Sequence, residues 1–150
     1  MRRKIYDQLL EWKEKRSQKE ALLIDGARRV GKSWIVEEFA RKEYRSYILI
    51  DLSEASDTML DVFRTYRGKW DEFFMHLQLE TGKKLYPRES LIVFDEIQKF
   101  PEAREMIKYL VQDGRYAYIE TGSLMSINAN VKDINIPSEE HRIDMHPMDL

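Results

Sequence analysis

The sequence contains no cysteine and little glycine, proline or histidine, with six, four and three residues respectively. Without cysteine there is no disulfide framework and no thiolate zinc site, and nothing else indicates secretion, so we expect a cytoplasmic protein. The three histidines, His76, His141 and His146, lie beside no nucleophile and no cluster of metal-ligating residues. A Ser-His-Asp hydrolase and a histidine-bound metal centre are therefore disfavoured.

An excess of charge of one sign is also missing. The 25 lysines and arginines are balanced by 27 acidic residues, which gives a net charge of −2. Net charge therefore does not favour nucleic acid, which remains possible only through a local basic patch. No apolar run approaches the about 20 residues that a membrane-spanning helix needs, and Asp7 and Glu11 interrupt the apolar segment that a signal peptide would require. We expect no membrane partner.

Short apolar runs alternate with amphipathic segments along the 150 residues, a length typical of one domain. Residues 21–25, 47–52, 91–95 and 116–121 have the composition of buried strands, and residues 142–145 are a candidate fifth strand. Helical spacing is found in residues 4–17, 32–42, 58–65, 69–81 and 101–113, and residues 128–137 resemble a loop. Strands that alternate with helices predict an α/β fold with a mainly parallel sheet covered on both faces.

The first predicted helix is rich in basic residues. From Met1 to Glu20 the chain has seven basic and four acidic side chains, while Ile5, Leu9 and Trp12 recur at helical spacing. The basic residues could contact a nucleic-acid backbone, but a solvated helix face is the more ordinary explanation and we favour it.

A glycine-rich segment joins the first strand to the second helix. It fits G-x-x-x-x-G-K-[ST] and consists of Gly26, Ala27, Arg28, Arg29, Val30, Gly31, Lys32 and Ser33, followed by Trp34 in the first turn of the helix. Such a loop directs backbone N–H groups at a polyphosphate, and the helix N-terminus adds a favourable dipole. Lys32 would reach the β- and γ-phosphates, and Ser33 would ligate Mg²⁺. This segment, including Trp34, is the predicted nucleotide-binding site.

Two carboxylates follow the apolar strand 91–95. Asp95 is delivered to the carboxyl edge of the sheet, where it would hold Mg²⁺, and Glu96 would project to the other side of the strand and polarise the attacking water. A guanine-reading N-K-x-D motif would indicate GTP, but residues 130–133 place the lysine one position late. ATP is therefore the expected nucleotide.

A third motif, Thr121-Gly122-Ser123, begins at the last residue of the strand 116–121. Together, G-A-R-R-V-G-K-S, F-D-E-I-Q and T-G-S resemble the bacterial and archaeal ATPases of the AAA+ superfamily. The resemblance implies a three-layer P-loop NTPase with the strand order 5-1-4-3-2, which uses ATP and Mg²⁺. It also implies that Thr121 or Ser123 senses the γ-phosphate, and it leaves Gln98 equally compatible with a role near the nucleotide and with an ordinary polar position at a helix start.

The same resemblance sets expectations for the rest of the protein. Residues 1–150 would form the ATPase core, with the helical lid and the C-terminal domain of such proteins absent and with self-association possible through that lid. Members commonly use an arginine from a neighbouring subunit. Arg28 and Arg29 lie in the phosphate-binding loop itself, Arg104 and Arg142 are candidates, and the sequence nominates neither. We therefore expect slow hydrolysis from the isolated domain.

Four functions are compatible with these motifs. The leading one is ATP hydrolysis coupled to a conformational change in a larger protein. The alternatives are a nucleotide-dependent regulatory module with little turnover, a DNA-associated ATPase that uses the basic N-terminal helix, and a small-molecule kinase. The kinase is the weakest because no arginine-rich lid segment lies between the strands.

Overall fold

The computed structural model describes residues 2–26, 32–122 and 140–145, with the backbone alone described for residues 2, 3, 26, 32, 33 and 140–145. The predicted loop at residues 128–137 lies outside the described residues. The helices are α1 (Arg2–Lys15), α2 (Lys32–Glu43), α3 (Asp57–Thr65), α4 (Trp70–Thr81) and α5 (Pro101–Asp113), with a short 3₁₀ turn at Ile97–Lys99. The strands are β1 (Ala21–Gly26), β2 (Ser46–Asp51), β3 (Ser90–Asp95), β4 (Ala117–Gly122) and β5 (Glu140–Met145).

These elements follow the predicted order, with bounds that differ by one or two residues. Helix α1 begins and ends about two residues before the predicted range of 4–17, and β5 begins two residues before the predicted range. Helix α5 agrees with its predicted range because its ends carry strong signals. Pro101 occupies the first turn, where a missing N–H costs nothing, and Gly114 ends the helix at φ 79°, where a side chain would be strained.

The sheet has the order β2-β3-β4-β1-β5, and every neighbouring pair is parallel. The predicted α/β class and the order of the first four strands are therefore confirmed. In β5 the backbone pairs with the outer edge of β1, with Ile143 opposite Ile24. Because all strands run in one direction, their carboxyl ends meet at a single edge of the sheet.

Helices cover both faces of the sheet. On one face, α1 and α2 pack against strand residues such as Leu22 and Val93. On the other, α3, α4 and α5 pack against the alternate strand residues, including Leu23 and Phe94. Successive strand residues point to opposite faces, so an uninterrupted apolar run supplies both cores at once. This explains why all six residues of β3 are buried.

Helix α1 is fixed to the body of the domain by polar contacts as well as apolar ones. The Trp12 indole N–H donates to the Glu20 carbonyl oxygen at 3.0 Å, and the Tyr6 hydroxyl donates to Glu43 Oε2 at 2.9 Å. Burial, helped by the hydrogen bond and negative charge of Glu43, raises the pKa of Tyr6 to about 12. The tyrosine therefore stays a neutral donor at physiological pH. In the part of the chain that the structure describes, no helix is long and apolar enough to cross a membrane.

Candidate functional site

Those predicted site residues that the structure describes lie at the carboxyl edge of the sheet. Strand β1 ends there at Gly26, β3 ends at Asp95, and β4 lies between them. Helix α2 begins at Lys32, so the predicted phosphate-binding loop connects this edge to the start of a helix. Within the loop, Ala27, Arg28, Arg29, Val30 and Gly31 lie outside the described residues. Trp34, in the first turn of α2, is half exposed.

Asp95 lies on the face of the sheet that α2 covers. Leu91 and Val93 belong to the apolar cluster that contains α2, and Asp95 follows them at the same alternation. Its carboxylate is largely buried. The acid predicted to hold Mg²⁺ and the helix that begins with Lys32 and Ser33 therefore share one face and one edge of the sheet.

Thr121 connects the two predicted acidic residues. Its hydroxyl donates to Asp95 Oδ1 and accepts a hydrogen bond from the Glu96 backbone N–H at 3.1 Å. This contact is possible because β3 and β4 are neighbours and Thr121 is on the same face as Asp95. The side chain is fully buried. Ser123, the other predicted phosphate sensor, lies outside the described residues, so the choice between the two stays a prediction.

Glu96 lies beyond the end of the strand. Its backbone is left-handed, at φ 57° and ψ 53°, which is uncommon for a residue other than glycine. Strand alternation therefore does not determine where the Glu96 side chain points. The prediction that Glu96 projects to the other side of the strand from Asp95 depended on that alternation. Backbone conformations of this kind persist where the surroundings hold them, and they cluster at functional sites.

Gln98 contacts this glutamate. Its Nε2 donates to Glu96 Oε1 at 3.2 Å, and both side chains are buried. A neutral amide donor orients a carboxylate without adding a charge. The sequence left two explanations for Gln98, and this contact places it beside the predicted base.

An ion pair lies inside the domain on the opposite face of the sheet. Arg104 in α5 donates to Glu120 Oε1 at 2.6 Å, and the two side chains are 2% and 0% exposed. Sequence analysis counted Arg104 among the candidates for an arginine that reaches a neighbouring subunit, and its burial excludes that role. The pair itself was missed. The sequence did carry a signal for this pair, because Arg104 lies on the apolar face of a helix and Glu120 lies inside an apolar strand.

The described side chains at this site suit Mg²⁺ better than a metal ion that needs many protein ligands. Among the described residues there is no group of three or more histidine, cysteine, aspartate or glutamate side chains placed to hold a metal ion. Mg²⁺ keeps several of its waters and is usually held by one or two carboxylates together with substrate phosphates. A single buried aspartate, oriented by a threonine hydroxyl, fits that requirement.

Comparison with known proteins identifies the domain type. Residues 18–150 match the family described as AAA domain. Among solved structures, the chain is similar to the Pyrococcus furiosus Hef helicase domain, with 15% sequence identity and a TM-score of 0.43. The similarity covers 93% of this chain but only 38% of that one. No curated protein matches the sequence.

Proposed function

Because the chain belongs to the AAA domain family, we propose that it binds Mg-ATP at the carboxyl edge of the sheet and hydrolyses it, coupled to a conformational change in a larger protein. The observation that carries the proposal is the arrangement of Asp95, Glu96, Gln98 and Thr121, which is held together at the edge where the G-x-x-x-x-G-K-S segment leaves β1. The strand order β5-β1-β4-β3-β2 supports a three-layer P-loop NTPase.

The phosphates would be bound by the segment Gly26–Ser33. Its backbone N–H groups and the dipole of α2 favour negative charge, and Lys32 adds a positive charge close to the terminal phosphates. Ser33 and Asp95 would hold Mg²⁺, which when bound offsets the charge of the phosphates. In this proposal Trp34, half exposed at the start of α2, lies at the margin of the nucleotide.

Glu96 would act on the attacking water. Accepting a proton, or polarising the O–H bond, requires a carboxylate held in one orientation. The amide of Gln98 supplies that orientation, and Thr121 fixes the backbone of Glu96 relative to Asp95. In this proposal the Thr121 hydroxyl holds the base, Glu96, at a fixed distance from the metal-binding acid, Asp95. Phosphoryl transfer depends mainly on such positioning, because little covalent chemistry falls to the protein.

Mg-ATP should stabilise the fold, and Lys32→Ala should remove most of the effect. A ligand at a hundred times its Kd adds about 2.7 kcal/mol to the free energy of unfolding, which raises Tm by several degrees in a chain of this size. The measurement is a thermal melt at millimolar Mg-ATP, with circular dichroism to show that both proteins are folded. An unchanged Tm for the parent chain would contradict the binding site.

The role proposed for Thr121 can be tested without removing a catalytic group. Thr121→Val keeps the shape but loses the hydroxyl, which leaves the buried Asp95 without this donor, so we expect turnover to fall about tenfold or more. Thr121→Ser keeps the hydroxyl and should recover most of the activity. The experiment measures phosphate release as a function of Mg²⁺ concentration, and the valine variant should need more Mg²⁺. Equal activity and equal Mg²⁺ dependence in the two variants would exclude the positioning role.

A further inference from the structure

The edge of the sheet opposite the proposed ATP site carries two adjoining depressions. They lie where β2, β3 and β4 begin, near Ser46, Ser90 and Ala117. One has a volume of about 150 Å³ and the other about 410 Å³, and they are neighbours because Tyr44 lines both, so we treat them as one surface. We call it the basic-tyrosine surface because of the side chains that line it: Lys13, Arg41, Arg45, Lys83, Lys84, Arg88 and Arg115, with Tyr44, Tyr47 and Tyr86.

The charge of this surface departs strongly from that of the whole protein. Seven basic residues line the two depressions, and none of the lining residues in the described part of the chain is acidic. Nearby acids pair with two of these cations: Glu89 binds Arg45 at 3.2 Å, and Asp71 and Asp113 bind Arg115. A further acid, Glu37, accepts a hydrogen bond from the Tyr47 hydroxyl at 3.1 Å. In a protein with a net charge of −2, this local concentration creates a potential that attracts a polyanion.

The tyrosines give the surface a second property. Cations lie over the faces of their rings, with the Arg45 guanidinium 3.7 Å from the Tyr86 centroid and the Lys83 ammonium 4.2 Å from the Tyr47 centroid. Planar groups interleaved with positive charges are the combination that single-stranded nucleic acids use. Bases stack on aromatic and guanidinium planes, and the adjacent cations bind the phosphates.

We propose that the basic-tyrosine surface binds single-stranded nucleic acid. Bases would stack against Tyr47 and against the Tyr86–Arg45 stack, and phosphates would lie at Lys83, Lys84 and the smaller depression, which contains Arg88. The site is distinct from the nucleic-acid contact considered for the basic N-terminal helix, since Lys13 is the only one of that helix's described side chains that lines this surface. It also stands independently of ATP binding, because it occupies the opposite edge of the sheet.

Other anionic partners fit the surface less well. An acidic peptide would use the cations but would not stack on the tyrosine rings. An anionic membrane is normally bound by charge together with large apolar side chains that insert between lipids. In the described part of the chain the exposed large hydrophobic side chains are Trp34, Met75, Leu79 and Tyr109, and none of them lines this surface.

The test is fluorescence anisotropy with a labelled 15-nucleotide oligothymidylate and the full 150-residue chain, from 50 to 200 mM salt. If about four phosphates are contacted, log K should fall with log salt at a slope of about −3. Lys83→Glu/Lys84→Glu should weaken binding at least about tenfold, because it reverses two charges in the larger depression. The matched control is Lys69→Glu/Lys108→Glu, which makes the same charge change on the α4 and α5 side and should bind about as well as the parent.

A second pair of variants separates stacking from simple charge attraction. Tyr47→Leu and Tyr86→Leu keep an apolar side chain but lose the ring, so each should weaken oligothymidylate binding about five- to a hundredfold. Heparin, a polyanion without bases, should bind these two variants as it binds the parent. Circular dichroism verifies folding. The residues of the charge-reversal pair are exposed, and their variant does not depend on the tyrosine variants folding.

A labelled oligouridylate, measured in parallel, compares RNA with DNA. Binding of either oligonucleotide supports the proposed nucleic-acid surface, and the one that binds more tightly shows whether the surface prefers ribose or deoxyribose. The proposal is overturned if the folded chain does not bind at 50 mM salt, or if the tyrosine variants bind oligothymidylate as the parent does. It is also overturned if polyglutamate competes as well as the oligonucleotide, or if phosphatidylserine vesicles bind and the oligonucleotide does not.

Discussion

Glu96→Gln should lower ATP turnover by about 10²- to 10⁴-fold while Mg-ATP binding is retained, which is the range expected for loss of a general base. The amide keeps the size and shape of the side chain but does not accept a proton. The left-handed backbone at residue 96 and the hydrogen bond from Gln98 hold the parent carboxylate in one orientation. Steady-state phosphate release gives the rate, and the Tm shift with Mg-ATP shows that the nucleotide still binds.

The matched control is Glu102→Gln. Glu102 lies six positions further along, in the first turn of α5, and pairs with Arg64 at the surface. The same loss of one carboxylate there should leave turnover unchanged, since exposed ion pairs contribute little. A Glu96→Gln variant that hydrolyses ATP as fast as the parent would show that Glu96 is not the base. A companion Asp95→Asn variant should chiefly weaken the dependence on Mg²⁺, which separates the two acids.

Arg104→Met should destabilise the fold by about 3–5 kcal/mol, because it leaves Glu120 charged and buried without this partner. A domain of this size has a total stability of about 5–15 kcal/mol, so the loss is a large share of it. Arg104→Met/Glu120→Met removes both charges and fills a similar volume, and it should recover most of the lost stability. Urea unfolding followed by circular dichroism gives the three free energies.

The surface pair formed by Arg64 and Glu102 provides the comparison for this experiment. Both of its side chains are about half exposed, so Arg64→Met should cost at most about 1 kcal/mol. A cost for Arg104→Met as small as that for Arg64→Met would show that the buried pair is not a structural element of the domain. If the double variant is less stable than Arg104→Met alone, the fold needs charged side chains at this site, and the cost of Arg104→Met does not come only from leaving one buried charge without its partner.

The sequence predicted those features of the fold that depend on local patterns. The ends of α5 were set by Pro101 and Gly114, and the strands were recognisable because buried parallel strands are continuous apolar runs. The G-x-x-x-x-G-K-S segment and the acids at the end of β3 could be predicted as a site because their chemistry requires fixed spacing in the chain. The strand order came from the resemblance to AAA+ ATPases, since spacing alone does not choose between neighbouring strands.

Tertiary structure decided the contacts between residues far apart in the chain. That Thr121 donates to Asp95 depends on β4 lying beside β3, and the burial of Arg104 against Glu120 depends on α5 covering that face. The basic-tyrosine surface collects residues from α1, α2 and the connections that lead into β2, β3 and β4, none of which is distinctive by itself. The physical reason is that backbone propensity and periodicity act over a few residues, whereas charge pairing, burial and ring stacking are set by distances that only the folded chain creates.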